Sequence, residues 1–309
     1  MIVVDDGSTD ESRCIIERYG DAITAILKQN GGQASAINAG LAIARGEYVL
    51  VLDADDVLHP NAVSTAIAHF TDSYSRVAWQ VTKVDRNRVP LSTNAQVSIN
   101  PGFDGDAIAT YIQTHSFPIT PTSANLFRAS TLHEVCPIPE SQYRISADVY
   151  LLVATSEKGL TRVLAPRLTD YRIHGDNVFH SGSEFFSLSR IQSHILADLL
   201  ASRLLEQAAV KRRPTFKARP IASRLSTALK LIATHRTGAV IPELGPMTVC
   251  MVLWEYWKGS CEAMPKKFIG VAAILAFGSL PLGFLRRLFR LRARRLSSGA
   301  RSEATGHRT

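Results

Sequence analysis

Residues 1–10 read MIVVDDGSTD, a short apolar run that ends in carboxylates and turn residues. An apolar run of this kind is typical of a strand that is buried on both faces of a parallel sheet. Ser8 and Glu11 have the spacing of a capping box, which predicts a helix from there to about Tyr19. The opening therefore predicts the strand, turn and helix of a βαβ unit.

The same alternation of strand and helix continues downstream. The elements predicted next are a strand at 23–27, a helix at 33–44, a strand at 48–52, a helix at 60–70 and a strand at 77–81. This pattern predicts an α/β fold with a mainly parallel sheet flanked by helices. Further along, the sequence predicts loops with a β-ribbon at 82–106, a strand segment at 126–127, and helices at 149–156 and 187–206.

Composition and charge divide the chain in two. Hydrophobic residues make up 46% and charged residues 20%, as in a packed globular protein. The four cysteines form no CxxC pair, so neither a disulfide framework nor a zinc ribbon is indicated, and a reducing cytosol is expected. Residues 1–210 hold 16 basic and 23 acidic residues, whereas residues 211–309 hold 19 and 4. We therefore predict a body at 1–210 and a basic helical tail at 211–309 that faces a polyanion.

An apolar segment at 268–285 lies within this tail. Its 18 uncharged residues are flanked by basic residues on both sides. That length is the lower limit for a spanning helix, and a doubled basic flank fits a helix that lies in, or re-enters, an anionic membrane surface. The alternative is a buried helix followed by a solvated basic tail. We expect a membrane-associated extension, at the inner, cytoplasmic face of the cell membrane.

Two groups of carboxylates follow predicted strands. Asp5 and Asp6 end the first strand, at the edge where open α/β sheets bind ligands; the alternative is an Asx-type turn with a helix cap. Asp53, Asp55 and Asp56 end the strand at 48–52. Three neighbouring carboxylates repel one another, and Mg²⁺ or Mn²⁺ would offset that repulsion. An extended backbone would turn Asp53 and Asp55 to the same side, and the alternative is a solvated acidic turn.

Three motifs together resemble glycosyltransferase family 2, which has the GT-A fold. They are VVDDGSTD at 3–10, QNGGQASAINAG at 29–40 and GEYVLVLDADD at 46–56, in the order and spacing of that family. The resemblance covers about residues 1–180. It implies transfer of a sugar, with inversion, from a nucleotide diphosphate sugar to an acceptor hydroxyl, with Mn²⁺ or Mg²⁺ as cofactor. The acceptor would be a glycan, a lipid or another hydroxyl compound, in cell-envelope, polysaccharide or glycolipid synthesis.

The resemblance also implies roles for individual residues. Asp6 would contact the nucleotide base and Asp53 the ribose. Asp148, in the run ISADVYLL at 145–152, stands where the family places its catalytic base, and a helix cap or exposed acid is the alternative. Arg172 and His174 lie in a run that resembles a frequent YRxHxxN ending, and the alternative is a structural role for both. The implied donor-binding residues are Asp5, Asp6, Gly32, Asp53 and Arg172, the implied metal ligands are Asp55 and His174, and the implied catalytic residue is Asp148.

The chain departs from the family pattern at its beginning, where a strand usually precedes the VVDDGSTD strand. The expectation is either a truncated chain or a short variant, and the competing function is a truncated, non-catalytic nucleotide-sugar-binding or scaffold protein. A nucleotidyltransferase would need a glycine-rich basic phosphate loop, which the first strand lacks. Nucleic acid is not an expected partner, because the arginines of the tail interleave with Leu and Phe beside an apolar run.

Overall fold

The structure, a computed structural model, describes residues 1–91, 101–174, 188–217, 251–252 and 256. The apolar segment predicted at 268–285 and most of the basic tail lie outside these residues. Within the part of the chain that is described, no helix combines the length and the apolarity needed to cross a membrane.

The described residues form a mixed α/β fold. The strands are β1 (Ile2–Asp6), β2 (Thr24–Lys28), β3 (Tyr48–Leu50), β4 (Val57–Leu58), β5 (Tyr74–Val84), β6 (Asp104–Gly105), β7 (Asn125–Arg128) and β8 (Leu160–Arg172). The helices are α1 (Ser12–Glu17), α2 (Gln33–Leu41), α3 (Ala62–Ile67), α4 (Ala107–Thr114), α5 (Ala129–Val135), α6 (Ala147–Ser156) and α7 (Leu188–Arg212). Single 3₁₀ turns stand at Gly20–Ala22 and Thr122–Ala124.

The sheet differs from the predicted, mainly parallel one. β1 and β2 form a parallel two-stranded sheet of their own. The other strands form a second sheet in the order β3-β7-β5-β8-β4, with β6 beside β8. There β7 runs antiparallel to both β3 and β5. The β3-α3-β5 crossover thus joins two strands that run in the same direction. A later strand, β7, lies between them in the sheet. The residue pattern of a single segment does not show such an insertion.

Two compact units divide the chain. The first comprises residues 1–83, 95–172 and 204–216, and the second comprises 84–94, 173–203 and 217–309. All eight strands except the last residue of β5 belong to the first unit. The boundary predicted between 210 and 211 stays a prediction, although α7 continues to Arg212, two residues into the segment expected as a linker.

The start of α1 differs from the prediction. The helix begins at Ser12, and Glu11 precedes it without a side-chain capping bond, so the capping box of Ser8 and Glu11 is not formed. The backbone N–H of Ser8 instead donates to Asp5, and that of Ser12 donates to Asp10. Local carboxylates thus satisfy the turn before the helix, which is the competition that Asp residues commonly offer to a helix start.

β5 and β8 carry the core of the first unit. Val77, Trp79 and Val81 of β5 are buried with Leu164 and Leu168 of β8 in one apolar cluster. The sequence analysis missed β8, because Pro166 interrupts its pattern and three consecutive residues at 165–167 are exposed. Trp79 is fully buried, and its indole N–H donates to Thr169 Oγ1 at 2.8 Å. The strand that was missed therefore supplies both packing and a buried polar contact.

Candidate active site

The acidic turn after β1 is held by bonds within its own unit. Asp5 is buried, and its carboxylate accepts from the Ser8 backbone N–H at 3.2 Å and from Arg13 Nε at 2.6 Å. Hydrogen bonds from Ser8 and Arg13 lower the pKa of Asp5 against the effect of burial. The Asx-type turn therefore accounts for the position of Asp5, and a contact with a donor stays a prediction for this residue.

Asp6 connects the first motif to the second. Its carboxylate accepts from Lys28 Nζ at 2.7 Å, from Gly31 N–H at 2.9 Å and from Gly32 N–H at 2.6 Å. Burial opposes ionisation of Asp6, but the bonds from Gly31, Lys28 and Gly32 outweigh it, and the pKa lies below its usual value. Two residues that the sequence analysis assigned to donor binding, Asp6 and Gly32, are thus in direct contact.

The second motif also fixes the start of α6. Gly32 has a φ of 89°, and a Cβ there would overlap Arg144, so glycine is required both for backbone conformation and for space. The next residue, Gln33, donates its N–H to Arg144 O at 2.8 Å and accepts the Ala147 N–H on its Oε1 at 2.9 Å. The glycine-rich loop is therefore hydrogen-bonded to the first turn of α6, the helix that carries Asp148.

The acidic loop after β3 forms a turn. The Asp56 N–H donates to Asp53 O at 3.1 Å, and the Asp53 N–H donates to Ser123 Oγ at 3.0 Å. The extended conformation predicted for Asp53–Asp55 is therefore wrong, because the backbone bond between Asp53 and Asp56 closes the loop. The turn keeps the three carboxylates close to one another.

Asp148 completes a group that we name the carboxylate cluster: Asp53, Asp55, Asp56 and Asp148. Burial, and then the charges of Asp148, Asp56 and Asp55, raise the pKa of Asp53 to about 7. The structure thus brings together the acidic loop and α6, which lie about ninety residues apart in the sequence. Near neutral pH one proton is readily held within this cluster.

Asp148 lies inside the first turn of α6. The residue that caps this helix is Ser146, with a φ of 62°, so a capping role for Asp148 is wrong. Burial raises the pKa of Asp148, against bonds from the Val149 N–H and from Thr122. A carboxylate that is desolvated and retains a raised pKa has the chemistry of a general base.

Thr122 and Ser123 connect the cluster, and the sequence analysis missed both. The side-chain hydroxyl of Thr122 lowers the pKa of both Asp53 and Asp148 against the effect of burial. A hydroxyl has a single proton to donate, so it serves only one of two ionised carboxylates at a time. Ser123 Oγ accepts the Asp53 N–H, and the Ser123 side chain lowers the pKa of Asp56. The signal for these residues is weak in the sequence, because PTSAN at 121–125 reads as an ordinary turn.

The end of β8 closes the other side of the cluster. Asp56 is buried, and its Oδ1 accepts the Arg172 N–H at 3.0 Å. Burial raises the pKa of Asp56, against the bonds from Ser123 and Arg172. Tyr171 also faces this site, since burial and the charges of Asp56, Asp53, Asp55 and Asp148 raise its pKa. Arg172, assigned to a phosphate from the sequence, therefore lies beside the acidic loop.

The cluster fits a divalent cation in the kind of donor it offers. The Oδ2 atom of Asp56 is buried without a hydrogen-bond partner in the described part of the chain, and burial together with the surrounding carboxylates raises the pKa of Asp53. A cation would relieve both. No group of three potential ligands is already arranged as a metal site among the described residues. His174, the other predicted ligand, belongs to the second unit, and its role stays a prediction.

Comparison with known proteins shows which proteins this chain resembles. Residues 1–134 match the model of Glycosyl transferase family 2. An uncharacterized glycosyltransferase of Nostoc sp. is 36% identical over 183 residues, which are 57% of this chain and 56% of the relative. The chondroitin synthase of Pasteurella multocida is 28% identical over 181 residues, 57% of this chain and 18% of that protein. The resemblance seen in the three motifs is confirmed, and the chain spans about half the length of the Nostoc relative.

The solved structures to which the chain is similar include S. aureus TarS. TarS 1–349 is 16% identical, with a TM-score of 0.43 over 90% of this chain and 77% of that chain. The complex of TarS 1–349 with UDP-GlcNAc gives a TM-score of 0.44 at 16% identity, over 88% of this chain and 80% of that chain.

We predict that Asp53→Asn stabilises the metal-free protein, and increasingly so as the pH rises. The carboxyl of Asp53 has a pKa of about 7 in the folded protein against its usual value of 3.8, so the unfolded chain loses its proton first and wild-type stability falls as the pH rises between these values. The asparagine variant does not undergo this loss, so its free energy of unfolding should be higher by about 1–3 kcal/mol at neutral pH. The expected difference is limited to this size because Asp53 is partly exposed to solvent.

Urea denaturation in the presence of a chelator, repeated across this pH range, measures the difference. Asp10→Asn is the matched control, because bonds from Ser12 lower the pKa of the exposed Asp10 and the sign of its effect is opposite. An advantage of Asp53→Asn that does not grow with pH would contradict the proton-holding cluster.

Proposed function

We propose that this chain, whose residues 1–134 are a glycosyltransferase family 2 domain, transfers a sugar from a nucleotide diphosphate sugar to an acceptor hydroxyl with inversion. The observation that carries the proposal is the meeting of the acidic loop after β3 with Asp148 of α6 in one carboxylate cluster. In the proposed GT-A architecture, this places the donor-binding loop beside the catalytic base. A glycan, a lipid or another hydroxyl compound is the proposed acceptor.

The donor would lie along the loops that follow β1 and β3. Asp6 and Gly32 would contact the base through the loop that they form together, with Asp5 holding the turn, and Asp53 would approach the ribose. Arg172 would neutralise a phosphate of the donor, because a guanidinium matches phosphate oxygens in geometry and charge. Asp6 is already paired with Lys28, so we expect the base to meet a carboxylate whose charge is partly neutralised.

Asp55 would hold Mn²⁺ or Mg²⁺, and the same role for His174 stays a prediction. A divalent ion at this position supplies stabilisation of the negative charge on the leaving nucleoside diphosphate. The surrounding carboxylates favour such an ion through the mutual repulsion that they show without it.

Asp148 would act as the base in a single displacement. Its carboxylate takes the proton of the acceptor hydroxyl while the acceptor oxygen forms a bond to the anomeric carbon. On the opposite side of that carbon, the bond to the diphosphate oxygen breaks, and the electron pair leaves with the nucleoside diphosphate. One in-line displacement inverts the configuration, and no covalent enzyme intermediate is formed. Thr122 would orient Asp148 and Asp53 relative to each other.

The basic tail supports a position at the inner face of the cell membrane. Nineteen of the 35 basic residues lie in residues 211–309, together with the apolar segment 268–285. An anionic membrane surface attracts such a segment at about 1 kcal/mol for each basic residue near it. We propose this surface, rather than nucleic acid, as the partner of the tail.

We predict that Asp148→Asn lowers kcat for sugar transfer about 10²- to 10⁴-fold, because an amide does not accept the proton of the acceptor. Asp55→Asn is expected to raise the Mn²⁺ concentration needed for half-maximal activity. Release of nucleoside diphosphate from a panel of donor sugars, with and without acceptor, measures both effects.

The matched control is Asp72→Asn, an exposed aspartate outside the cluster, which should retain wild-type kcat. Undiminished turnover in Asp148→Asn would reject Asp148 as the base. Donor binding without turnover by the wild-type chain would favour the non-catalytic nucleotide-sugar binder instead.

We predict that the full chain floats with vesicles that contain anionic lipid and not with zwitterionic vesicles. Replacing Arg286, Arg287 and Arg290 with glutamine should reduce the bound fraction severalfold, and high salt should do the same. Binding to DNA that exceeds binding to anionic vesicles at equal salt would contradict the membrane assignment.

A further inference from the structure

A buried arginine lies behind the carboxylate cluster. Arg76, in the middle of β5, is fully buried, and no ion pair among the described residues includes it. Burial lowers its pKa to about 9, so it remains a cation at neutral pH. A buried cation without a carboxylate is costly. The neutral acceptors that bind Arg76 are therefore expected to have a structural role.

Three of the acceptors lie in residues 118–125, which we name the bridging segment, and a fourth, longer bond runs from Nη2 to Thr161 Oγ1 of β8 at 3.5 Å. Arg76 Nη1 donates to Asn125 Oδ1 at 2.9 Å and to Thr120 Oγ1 at 3.1 Å, and Nη2 donates to Pro118 O at 3.2 Å. The planar guanidinium thus donates hydrogen bonds to three acceptors in one short segment. A lysine, with one ammonium, does not reproduce this fork.

Asn125 connects Arg76 to residues next to the carboxylate cluster. Its Oδ1 accepts from Arg76 and from Thr120, and its Nδ2 donates to Pro121 O at 2.6 Å and to Thr122 O at 3.2 Å. The side-chain hydroxyl of Thr122, in turn, lowers the pKa of both Asp53 and Asp148. Only two side chains, Asn125 and Thr122, therefore separate Arg76 from the proposed base.

The other face of β5 holds the same segment. Trp79 donates to Thr169 Oγ1 at 2.8 Å, and the Thr169 hydroxyl donates to Ser123 O at 3.1 Å. Ser123 is the residue whose Oγ accepts the Asp53 N–H and whose side chain lowers the pKa of Asp56. β5 thus holds the bridging segment from both of its faces, and every side chain in this second path up to Ser123 is buried.

We propose that Arg76 is a positioning residue, which sets the place of Thr122 and Ser123 and through them the geometry of Asp53, Asp56 and Asp148. The inference rests on the proposed function for its kinetic consequence, but not for its structural one. Displacements of about 1 Å at a catalytic group cost up to about 10²-fold in rate, so a loosened bridging segment should lower kcat more than substrate affinity.

The test compares Arg76→Lys with Val81→Ala, a buried change in the same strand whose side chain has no bond to the bridging segment. Both variants should lose stability. Only Arg76→Lys should lower kcat per folded molecule, about 10- to 100-fold, with a smaller change in KM. In combination with Thr122→Val, the effect of Arg76→Lys on kcat should be strongly reduced, because residues on one path act as a unit.

Amide hydrogen exchange gives a readout that does not require activity. The Asp53 N–H, bonded to Ser123 Oγ, and the Arg172 N–H, bonded to Asp56, should exchange at least about tenfold faster in Arg76→Lys than in Val81→Ala at matched global stability. Equal exchange and equal kcat in the two variants would overturn the inference. A wild-type chain without donor turnover would overturn the proposed function alone, and the exchange comparison would still decide the role of Arg76.

Discussion

The constraint on which the site depends is the mutual repulsion of four carboxylates that the fold holds close together. Asp53, Asp55 and Asp56 share one turn, and Asp148 approaches them from α6. Without a cation, burial and the neighbouring carboxylates raise the pKa of Asp53 to about 7, so the cluster can hold a proton near neutral pH. The repulsion among the carboxylates that destabilises the metal-free protein also favours the binding of a divalent ion next to a base.

Neutral side chains help to keep these carboxylates in place. Ser123 Oγ accepts the Asp53 N–H, and β5 supports the segment of Thr122 and Ser123 through Arg76 on one face and Trp79 on the other. The glycine-rich loop adds a third support, because Gln33 fixes the first turn of α6. Sheet, loop and helix thus converge on one site through buried polar contacts.

The sequence predicts much of this site, and its limits have physical causes. Acidic residues at strand ends, the glycine-rich loop and the acid in the first turn of α6 have strong local patterns, and the structure brings Asp53, Asp55 and Asp148 together. The insertion of β7 between β3 and β5 was not predicted, because strand order is a tertiary property. Thr122, Ser123 and Arg76 were missed because their roles arise from contacts between distant segments. Pro166 concealed β8 and, with it, the support that Thr169 gives to Ser123.

The central claim, that the carboxylate cluster is a proton-holding cation site, is tested most directly by counting protons when Mn²⁺ binds. Calorimetric titration of Mn²⁺ into the metal-free protein, near the pKa of about 7 of Asp53 and in buffers of different ionisation enthalpy, gives that count. The account predicts release of a substantial fraction of one proton by the wild-type chain and little release by Asp53→Asn. Binding without proton release, or equal release by the two proteins, would contradict it.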